Sequence, residues 1–214
     1  MNVTIIGAGN MGRGIGHRLV AGGNDTTVVD RDPEEAGRLA EELHGAAQGG
    51  ATVEAAGPGA ELRGEVVILA VYYPGSLELA KELGDRLAGK IVVDIANPLN
   101  QTFDGLATAP GTSAAEEVAA TAAAGARVVK AFNTTLSGTL GEGQEAGQQL
   151  DVFLAGDDEG AKERVAQLVR EEGLRAIDVS PLERARQLEG LGFLGMTLQQ
   201  PLGLNFQSAW KLIS

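Results

Sequence analysis

Residues 2–16 read NVTIIGAGNMGRGIG, an apolar run followed at once by spaced glycines. A GxGxxG spacing that follows a first strand and opens a helix is typical of a dinucleotide-binding loop. Gly7 permits the tight turn, Gly9 lets the backbone approach a pyrophosphate, and Gly12 lets helix and strand pack closely. The free amides and the positive dipole end of the helix would face the phosphates, so the stretch predicts nucleotide binding.

Outward from this stretch, apolar strands alternate with helical segments. Continuous Val/Ile strands that alternate with helices indicate a parallel sheet covered on both faces. The predicted fold class is therefore α/β, a Rossmann-type doubly wound parallel sheet. Strands are predicted over 2–6, 26–30, 51–55, 65–71, 90–96 and 127–132, and helices over 11–23, 32–43, 75–87 and 113–124.

The rhythm of the sequence changes after residue 135. We expect a dinucleotide-binding domain over 1–135 and a small C-terminal α/β extension over 136–214 that completes the cleft for a second ligand. Within the extension, the pattern predicts a flexible glycine-rich loop over 137–149, a strand over 151–156, a helix over 158–172, a strand over 175–180 and a helical tail from Pro181.

Two residues at the end of the second strand bear on which dinucleotide binds. Asp30 lies near the spacing at which an acidic residue bonds the ribose hydroxyls of NAD. Arg31 follows directly, and a guanidinium at this position can hold the 2′-phosphate of NADP. These two residues do not decide between NAD and NADP.

The strand ends AVYYPG (70–75) and IANPLN (95–100) are expected at the same edge of the sheet. In open α/β sheets, ligands bind outside the carboxyl ends of the strands. The tyrosines are expected to wall the cofactor, and the asparagine to bond its ribose or carboxamide. The candidate cofactor-binding residues at this edge are Val71, Tyr72, Tyr73, Asn97 and Pro98.

A nicotinamide site suggests hydride transfer, and reduction of a carbonyl also needs a proton donor. Few residues qualify, since His17 and His44 are expected far from the nicotinamide and Lys130 lies inside a strand. Tyr72 or Tyr73 is a further possibility that no spacing demands. Only 79 residues (214 − 135) follow the nucleotide domain, too few for a large helical substrate domain. We therefore expect a shallow cleft and a flat acceptor such as a flavin-like ring.

Composition excludes several other classes of function. The formal net charge of −12 disfavours binding to nucleic acid and to anionic membranes. The absence of cysteine excludes disulfides and thiolate metal sites, and no metal site is predicted. No run approaches the roughly 18 apolar residues of a membrane span, and no signal peptide is visible, so a cytoplasmic location is expected.

Four blocks of sequence resemble a known family: IIGAGNMGRGIGHRLVAGG (5–23), VVKAFNTT (128–135), DVFLAGDDEGAK (151–162) and LRAIDVSPLERARQLE (174–189). Together they are similar to the deazaflavin-dependent NADP oxidoreductases, which pass hydride between NADPH and coenzyme F-420. They also resemble the cytosolic reductase domain of membrane metalloreductases, which sends hydride from NADPH to a flavin. The similarity runs over nearly the whole chain.

The resemblance implies direct hydride transfer to the acceptor ring without a separate catalytic acid. It implies that Arg31 binds the 2′-phosphate, that the segment from Ala131 to Thr134 lies beside the nicotinamide and the acceptor, and that Asn133 and Thr134 orient the rings. Some deazaflavin enzymes carry histidine at the position of Asn133, and AFNT looks closer to the flavin-reducing relatives. The pyrophosphate would be held by Gly7, Ala8, Gly9, Asn10, Met11 and Gly12.

The leading interpretation is an oxidoreductase that transfers hydride between NADPH, or NADH, and a deazaflavin or flavin. Two alternatives stay open. One is a small NAD(P)H-dependent reductase of a carbonyl or an imine, and the other is a nucleotide-binding redox sensor without chemistry. A homodimer, the commonest soluble oligomer, is also expected.

Overall fold

The computed structural model describes residues 1–213, and a single large sheet organises them. The strands are β1 (Asn2–Ile6), β2 (Asp25–Val29), β3 (Val53–Ala56), β4 (Val66–Leu69), β5 (Ile91–Asp94), β6 (Arg127–Lys130), β7 (Gln144–Glu145), β8 (Gln148–Gln149), β9 (Asp151–Gly156) and β10 (Arg175–Asp178). Eight of them form one sheet in the order β3-β2-β1-β4-β5-β6-β9-β10, and β7 and β8 form a separate hairpin. The first six have the strand order of a Rossmann fold.

Helix starts follow from local sequence. The helices are α1 (Asn10–Ala21), α2 (Pro33–Ala46), α3 (Tyr73–Leu83), α4 (Ala114–Thr121), α5 (Ser137–Leu140), α6 (Glu159–Glu171), α7 (Ala185–Thr197) and α8 (Gln199–Leu202). The side chains of Asp32, Ser113 and Asp158 each accept a hydrogen bond from an amide in the first turn of α2, α4 and α6. Each of these bonds satisfies an amide that the helix itself leaves free. Within residues 1–213, no helix is both long and apolar enough to cross a membrane.

Helices cover both faces of the sheet. One buried cluster joins the sheet to α1 and α6 through residues such as Ile5 and Leu19, and another joins the opposite face to α3 and α4 through Val67 and Val118. Strands β4 and β5 are buried along their whole length, which explains their continuous Val/Ile/Leu character. The predicted α/β Rossmann class is therefore confirmed.

The C-terminal part departs from two predictions, on the loop over 137–149 and on the extent of the helical tail. Strand β9 runs antiparallel to β6, and β10 is parallel to β9. The prediction of a flexible loop over 137–149 is wrong, because α5 packs its buried Leu140 on Gly14 and the β7–β8 hairpin follows. A Cβ on Gly14 would lie 3.2 Å from Leu140 Cδ2, so the small residue permits this contact. The predicted helical tail ends at Leu202, and residues 203–213 form neither helix nor strand.

A carboxylate is buried just after α6. Glu172 is 2% exposed, and neither of its carboxylate oxygens has a hydrogen-bond partner among the described residues. Burial raises the pKa of Glu172 well above its usual range, and the charge of Arg18 offsets this effect only in part. The folded state therefore binds a proton at Glu172 more tightly than the unfolded chain does.

Stability from protonated Glu172 is fully present below the unfolded-state pKa of about 4.3 and is lost as pH rises through the higher folded-state pKa. We therefore expect Glu172→Gln to raise the free energy of unfolding at pH 8 by about 1–3 kcal/mol and to change it little at pH 4. Urea unfolding at both pH values measures the difference, with Glu171→Gln at the exposed neighbouring position as the control. An equal effect of Glu172→Gln at the two pH values would contradict the prediction.

Candidate functional site

Two glycines of the GxGxxG stretch are required by close packing inside the protein, one in the loop and one in the first turn of α1. Gly7 has a φ of 118°, and a Cβ there would lie 2.3 Å from the carbonyl oxygen of Ala70, just after β4. A Cβ on Gly12 would lie 1.9 Å from the carbonyl oxygen of Gly7. Any larger residue would push α1 away from the sheet, so these glycines place the start of α1 at the carboxyl edge of β1 and β4.

Gly9 is different, because no neighbouring atom of the chain requires a glycine at this position. It precedes α1 with a φ of −72° and a ψ of −173°, which other residues also adopt, and a Cβ there would meet nothing within 4 Å. No side chain caps α1, and no acidic residue lies in its first turn. We call the open space beside Gly9, at the uncapped start of α1, the Gly9 cradle, and free amides at a helix start favour an anion such as a phosphate group.

The carboxylate of Asp30 is bonded to the glycine loop. Its Oδ2 accepts the amide of Ala8 at 2.7 Å, and its Oδ1 accepts the amide of Asp32 at 3.0 Å. Asp30 thereby fastens the loop to the end of β2. Arg31 is exposed beside it, and the ion pairs formed among residues 1–213 do not include its guanidinium.

Residues after β4 form a second part of the edge. Val71 lies against the glycine loop, because its Cγ1 would be 3.1 Å from a Cβ on Gly7, and Tyr72 is 90% exposed. The hydroxyl of Tyr73 donates to Glu117 on α4. Burial and this hydrogen bond to a carboxylate raise the pKa of Tyr73, which makes it a poor proton donor.

Two asparagines from neighbouring strand ends are bonded to each other. Asn133 Nδ2 donates to Asn97 Oδ1 at 2.9 Å and to the carbonyl oxygen of Leu188 at 2.8 Å, and Asn97 Nδ2 donates to the carbonyl oxygen of Asn133 at 2.8 Å. These bonds fix the amide of Asn133 and leave its Oδ1 without a partner among the described residues. Thr134 Oγ1 is also buried and unpartnered there. Pro98 is buried.

The segment from Ala131 to Thr134, directly after β6, is buried and strained. Phe132 is fully buried and has a φ of 59°, in the left-handed region that bulky residues rarely adopt. The amide and hydroxyl of Thr135 both donate to the carbonyl oxygen of Phe132, at 3.1 and 2.6 Å. Strained backbone of this kind is concentrated at functional sites.

A cavity of about 170 Å³ separates this segment from the C-terminal residues. Gln199 closes one side, because its Nε2 donates to the carbonyl oxygen of Gly195 and to Ser208 Oγ, and its Oε1 accepts the amide of Phe206. Sequence patterns gave no signal for Gln199. The cavity is lined by Thr134, Leu136, Gly195, Leu198, Gln199, Leu204, Ser208, Ala209 and Trp210.

The remaining candidate proton donors are engaged within the protein or exposed away from the edge. His17 Nε2 lies 2.8 Å from Glu42 Oε1, and His44 is exposed in the last turn of α2. Lys130 is fully buried and bonds Asp94 and Glu189. Residues 1–213 contain no group of at least three His, Cys, Asp or Glu side chains that could hold a metal ion.

Comparison with known proteins identifies the family of this chain. Residues 2–98 match the family described as NADP oxidoreductase, coenzyme F-420-dependent. The F-420-dependent NADP reductase of Methanocaldococcus jannaschii is 32% identical over 202 residues, which cover 89% of this chain and 89% of that protein. This chain belongs to the F-420-dependent NADP reductase family. It is therefore an oxidoreductase enzyme, as its sequence blocks predicted.

Other relatives widen the picture. Metalloreductase STEAP3 of Rattus norvegicus is 32% identical over 189 residues, which cover 88% of this chain and 36% of that protein, so the chain spans about a third of it. A solved structure described as a putative F-420-dependent NADP reductase from Arthrobacter sp. FB24 is 28% identical, with a TM-score of 0.82 and 99% of both chains covered. The imine reductase of Streptomyces aurantiacus, 19% identical with a TM-score of 0.65 over 96% of this chain and 64% of that one, shows the fold alone.

The glycines of the loop give a matched pair of variants. We expect Gly9→Ala to change the free energy of unfolding by less than about 1 kcal/mol, because its Cβ enters open space, and to weaken dinucleotide binding at least about tenfold. We expect Gly12→Ala to lower the free energy of unfolding by several kcal/mol, because its Cβ meets the carbonyl oxygen of Gly7. Urea unfolding and calorimetric titration measure both quantities. Unchanged dinucleotide binding in folded Gly9→Ala would show that the cradle is not the phosphate site.

Proposed function

We propose that this enzyme transfers a hydride between NADPH and a planar deazaflavin or flavin, with coenzyme F-420 as the first candidate acceptor. The observation that carries the proposal is the Gly9 cradle, which opens on an edge where Lys130 and Tyr73 are both engaged within the protein. A carbonyl substrate needs a positioned acid, whereas a flavin-type ring takes hydride and then a proton from water. The names of the archaeal relatives support both NADP and F-420.

Each part of the edge has a role in this reaction. Bound NADPH supplies the hydride from C4 of its nicotinamide. The amides at the start of α1 hold the pyrophosphate in the Gly9 cradle, and Val71 and Tyr72 wall the nucleotide. Asn133 and Thr134 orient the rings by hydrogen bonding, and neither moves a proton. The cavity that Trp210 lines adjoins this segment and suits one edge of a flat acceptor.

The contacts of Asp30 favour NADPH over NADH in spite of its charge. Both carboxylate oxygens already accept amides of the chain, which directs Asp30 toward Ala8. Arg31 is the exposed cation next to it and suits a 2′-phosphate.

Arg31 and Asp30 variants separate these roles. We expect Arg31→Ala to weaken NADPH binding by about 10–100-fold, the loss of a charge-assisted contact, and to leave NADH binding within about twofold. We expect Asp30→Asn to weaken both nucleotides by similar factors, because the glycine loop loses one of its fastenings. Calorimetric titration of each variant with both nucleotides gives the four dissociation constants. A loss confined to NADH in Asp30→Asn would identify Asp30 as a ribose ligand instead.

The activity itself is tested with the purified enzyme, NADPH or NADH, and F-420, FMN or FAD in turn. Direct transfer predicts that NADPH deuterated at C4 places deuterium on C5 of the deazaflavin, because that carbon does not exchange with water. Reduction of none of these acceptors by either nucleotide would refute the proposal. Binding of NADPH without turnover would then favour the redox-sensor alternative.

The carbonyl or imine reductase alternative depends on a proton donor. Because Tyr73 is held by Glu117 and its pKa is raised, we expect Tyr73→Phe to change the turnover number with the flavin-type acceptor by less than about twofold. Stopped-flow oxidation of NADPH by this acceptor measures the effect, with Tyr72→Phe as the exposed control. A fall of about a hundredfold in Tyr73→Phe alone would revive the alternative.

A homodimer is also part of the proposal. Leu194, Leu202 and Phe206 are exposed apolar side chains near the C-terminus, and their burial between two copies would remove them from water. Sedimentation of the purified enzyme gives the oligomeric state directly.

A further inference from the structure

Three charged side chains are buried together where β5, β6 and α7 meet. Lys130 Nζ donates to Asp94 Oδ2 at 2.7 Å, to Glu189 Oε1 at 2.8 Å and to the carbonyl oxygen of Ala96. The three side chains are at most 1% exposed. We call Asp94, Lys130 and Glu189 the Lys130 cluster.

The Lys130 cluster is fully satisfied, yet stability alone does not account for it. All three hydrogens of the ammonium group have acceptors, and the second carboxylate is matched by α4, since Glu189 accepts the amides of Ala114 and Ala115 at 3.0 and 3.3 Å. Apolar replacements of buried ion pairs are often neutral or stabilising. Three elements therefore meet at one ammonium group, and α4 is joined to it through Glu189, an arrangement that a plain apolar core would not need.

The Lys130 cluster lies where β5 and β6 end, directly before the segments that form the carboxyl edge of the sheet. Asp94 ends β5 and is followed within three residues by Asn97, and Lys130 ends β6 and precedes the segment from Ala131 to Thr134. Glu189 follows Leu188, whose carbonyl oxygen accepts the Nδ2 of Asn133 at 2.8 Å. One ammonium group thus links the three segments that contain Asn97, Asn133 and Leu188.

The segment after Lys130 needs such a constraint. Phe132 is fully buried at a φ of 59°, a conformation that costs roughly 1–3 kcal/mol and persists only where the surroundings hold it. Without the Lys130 cluster, the segment would relax toward an ordinary backbone and move Asn133 and Thr134. A displacement of about 1 Å in a reacting geometry costs about a hundredfold in rate.

We infer that the Lys130 cluster is a positioning device: it holds the segment from Ala131 to Thr134 in the conformation that aligns nicotinamide and acceptor, and it sets the rate of hydride transfer without contributing to nucleotide affinity. The inference rests on the proposed function. Lys130, Asp94 and Glu189 touch neither ring and act through Asn133 and Thr134.

Glu189→Gln is the direct test, because it removes one charge, keeps the side-chain shape and leaves the Lys130–Asp94 pair intact. We expect kcat with F-420 or FMN to fall about 10–100-fold, while the dissociation constant for NADPH stays within about twofold. Backbone amides of residues 96–97 and 131–134 should exchange hydrogen faster, with the remaining sheet unchanged. Asp94→Asn removes the charge of the other carboxylate bonded to the ammonium group, and it replaces Glu189→Gln as the test variant if Glu189→Gln does not fold.

Lys162 offers a matched control. It is also buried, at 2% exposure. It pairs with Glu159, the first residue of α6, and with Asp178, the last residue of β10. Asp178→Asn therefore removes one of two carboxylates from a buried lysine outside the Lys130 cluster. We expect it to leave kcat and the exchange of residues 131–134 unchanged.

The outcomes separate the inference from the proposed function. Wild-type enzyme that reduces no acceptor refutes the proposed function. In that case, hydrogen exchange and the dissociation constant for NADPH, without kcat, decide whether the Lys130 cluster has the positioning role. Faster exchange confined to residues 96–97 and 131–134 supports the inference. Unchanged kcat and exchange in folded Glu189→Gln, or faster exchange throughout the sheet together with weaker NADPH binding, would overturn it in favour of a purely structural role.

Discussion

The approach of α1 to the sheet, at the point where Gly12 meets the carbonyl oxygen of Gly7, is the contact on which the cofactor edge depends. Because neither residue carries a side chain there, the first amides of α1 come level with the ends of β1 and β4. Asp30 then fastens the loop from the side of β2 through the amide of Ala8. The Gly9 cradle is the space that these contacts leave, so packing inside the protein defines the surface that we propose for the pyrophosphate.

The buried charges of this enzyme are held by hydrogen bonds within the protein, which suits the positioning role that we infer for them. Lys130, Asp94 and Glu189 share one closed set of hydrogen bonds, and Tyr73 is held by Glu117. The proposed delivery of hydride to a flat ring depends more on the alignment of the nicotinamide with the acceptor ring than on acid–base catalysis. The features of the structure that support this proposal are the strained backbone at Phe132 and an asparagine pair whose amide orientation is fixed by hydrogen bonds.

Local signals in the sequence were enough for much of this. The strand Asp151–Gly156 has the bounds that its apolar pattern predicts, and α2 and α4 begin at the capping residues Asp32 and Ser113. Contacts between distant residues were not predictable. Lys130 is separated from Asp94 by 36 residues and from Glu189 by 59. Glu189 ends one of the blocks that carry the family resemblance, but nothing in the sequence indicates that it pairs with Lys130. Likewise, glycine content indicated a loop over 137–149, whereas the contact of Leu140 with Gly14 orders it.

The contact between Gly7 and Ala70 links the binding site to the folding of the chain. Strand β4 pairs directly with β1, although β2 and β3 lie between them in the sequence, and such a non-local contact slows folding. The Gly9 cradle therefore exists only once the centre of the sheet has closed. A dinucleotide that binds there recognises the native state and no earlier one, and at a hundred times its dissociation constant it adds about 2.7 kcal/mol to stability. Cellular nucleotide concentration thus becomes one of the variables that set how much of this enzyme is folded.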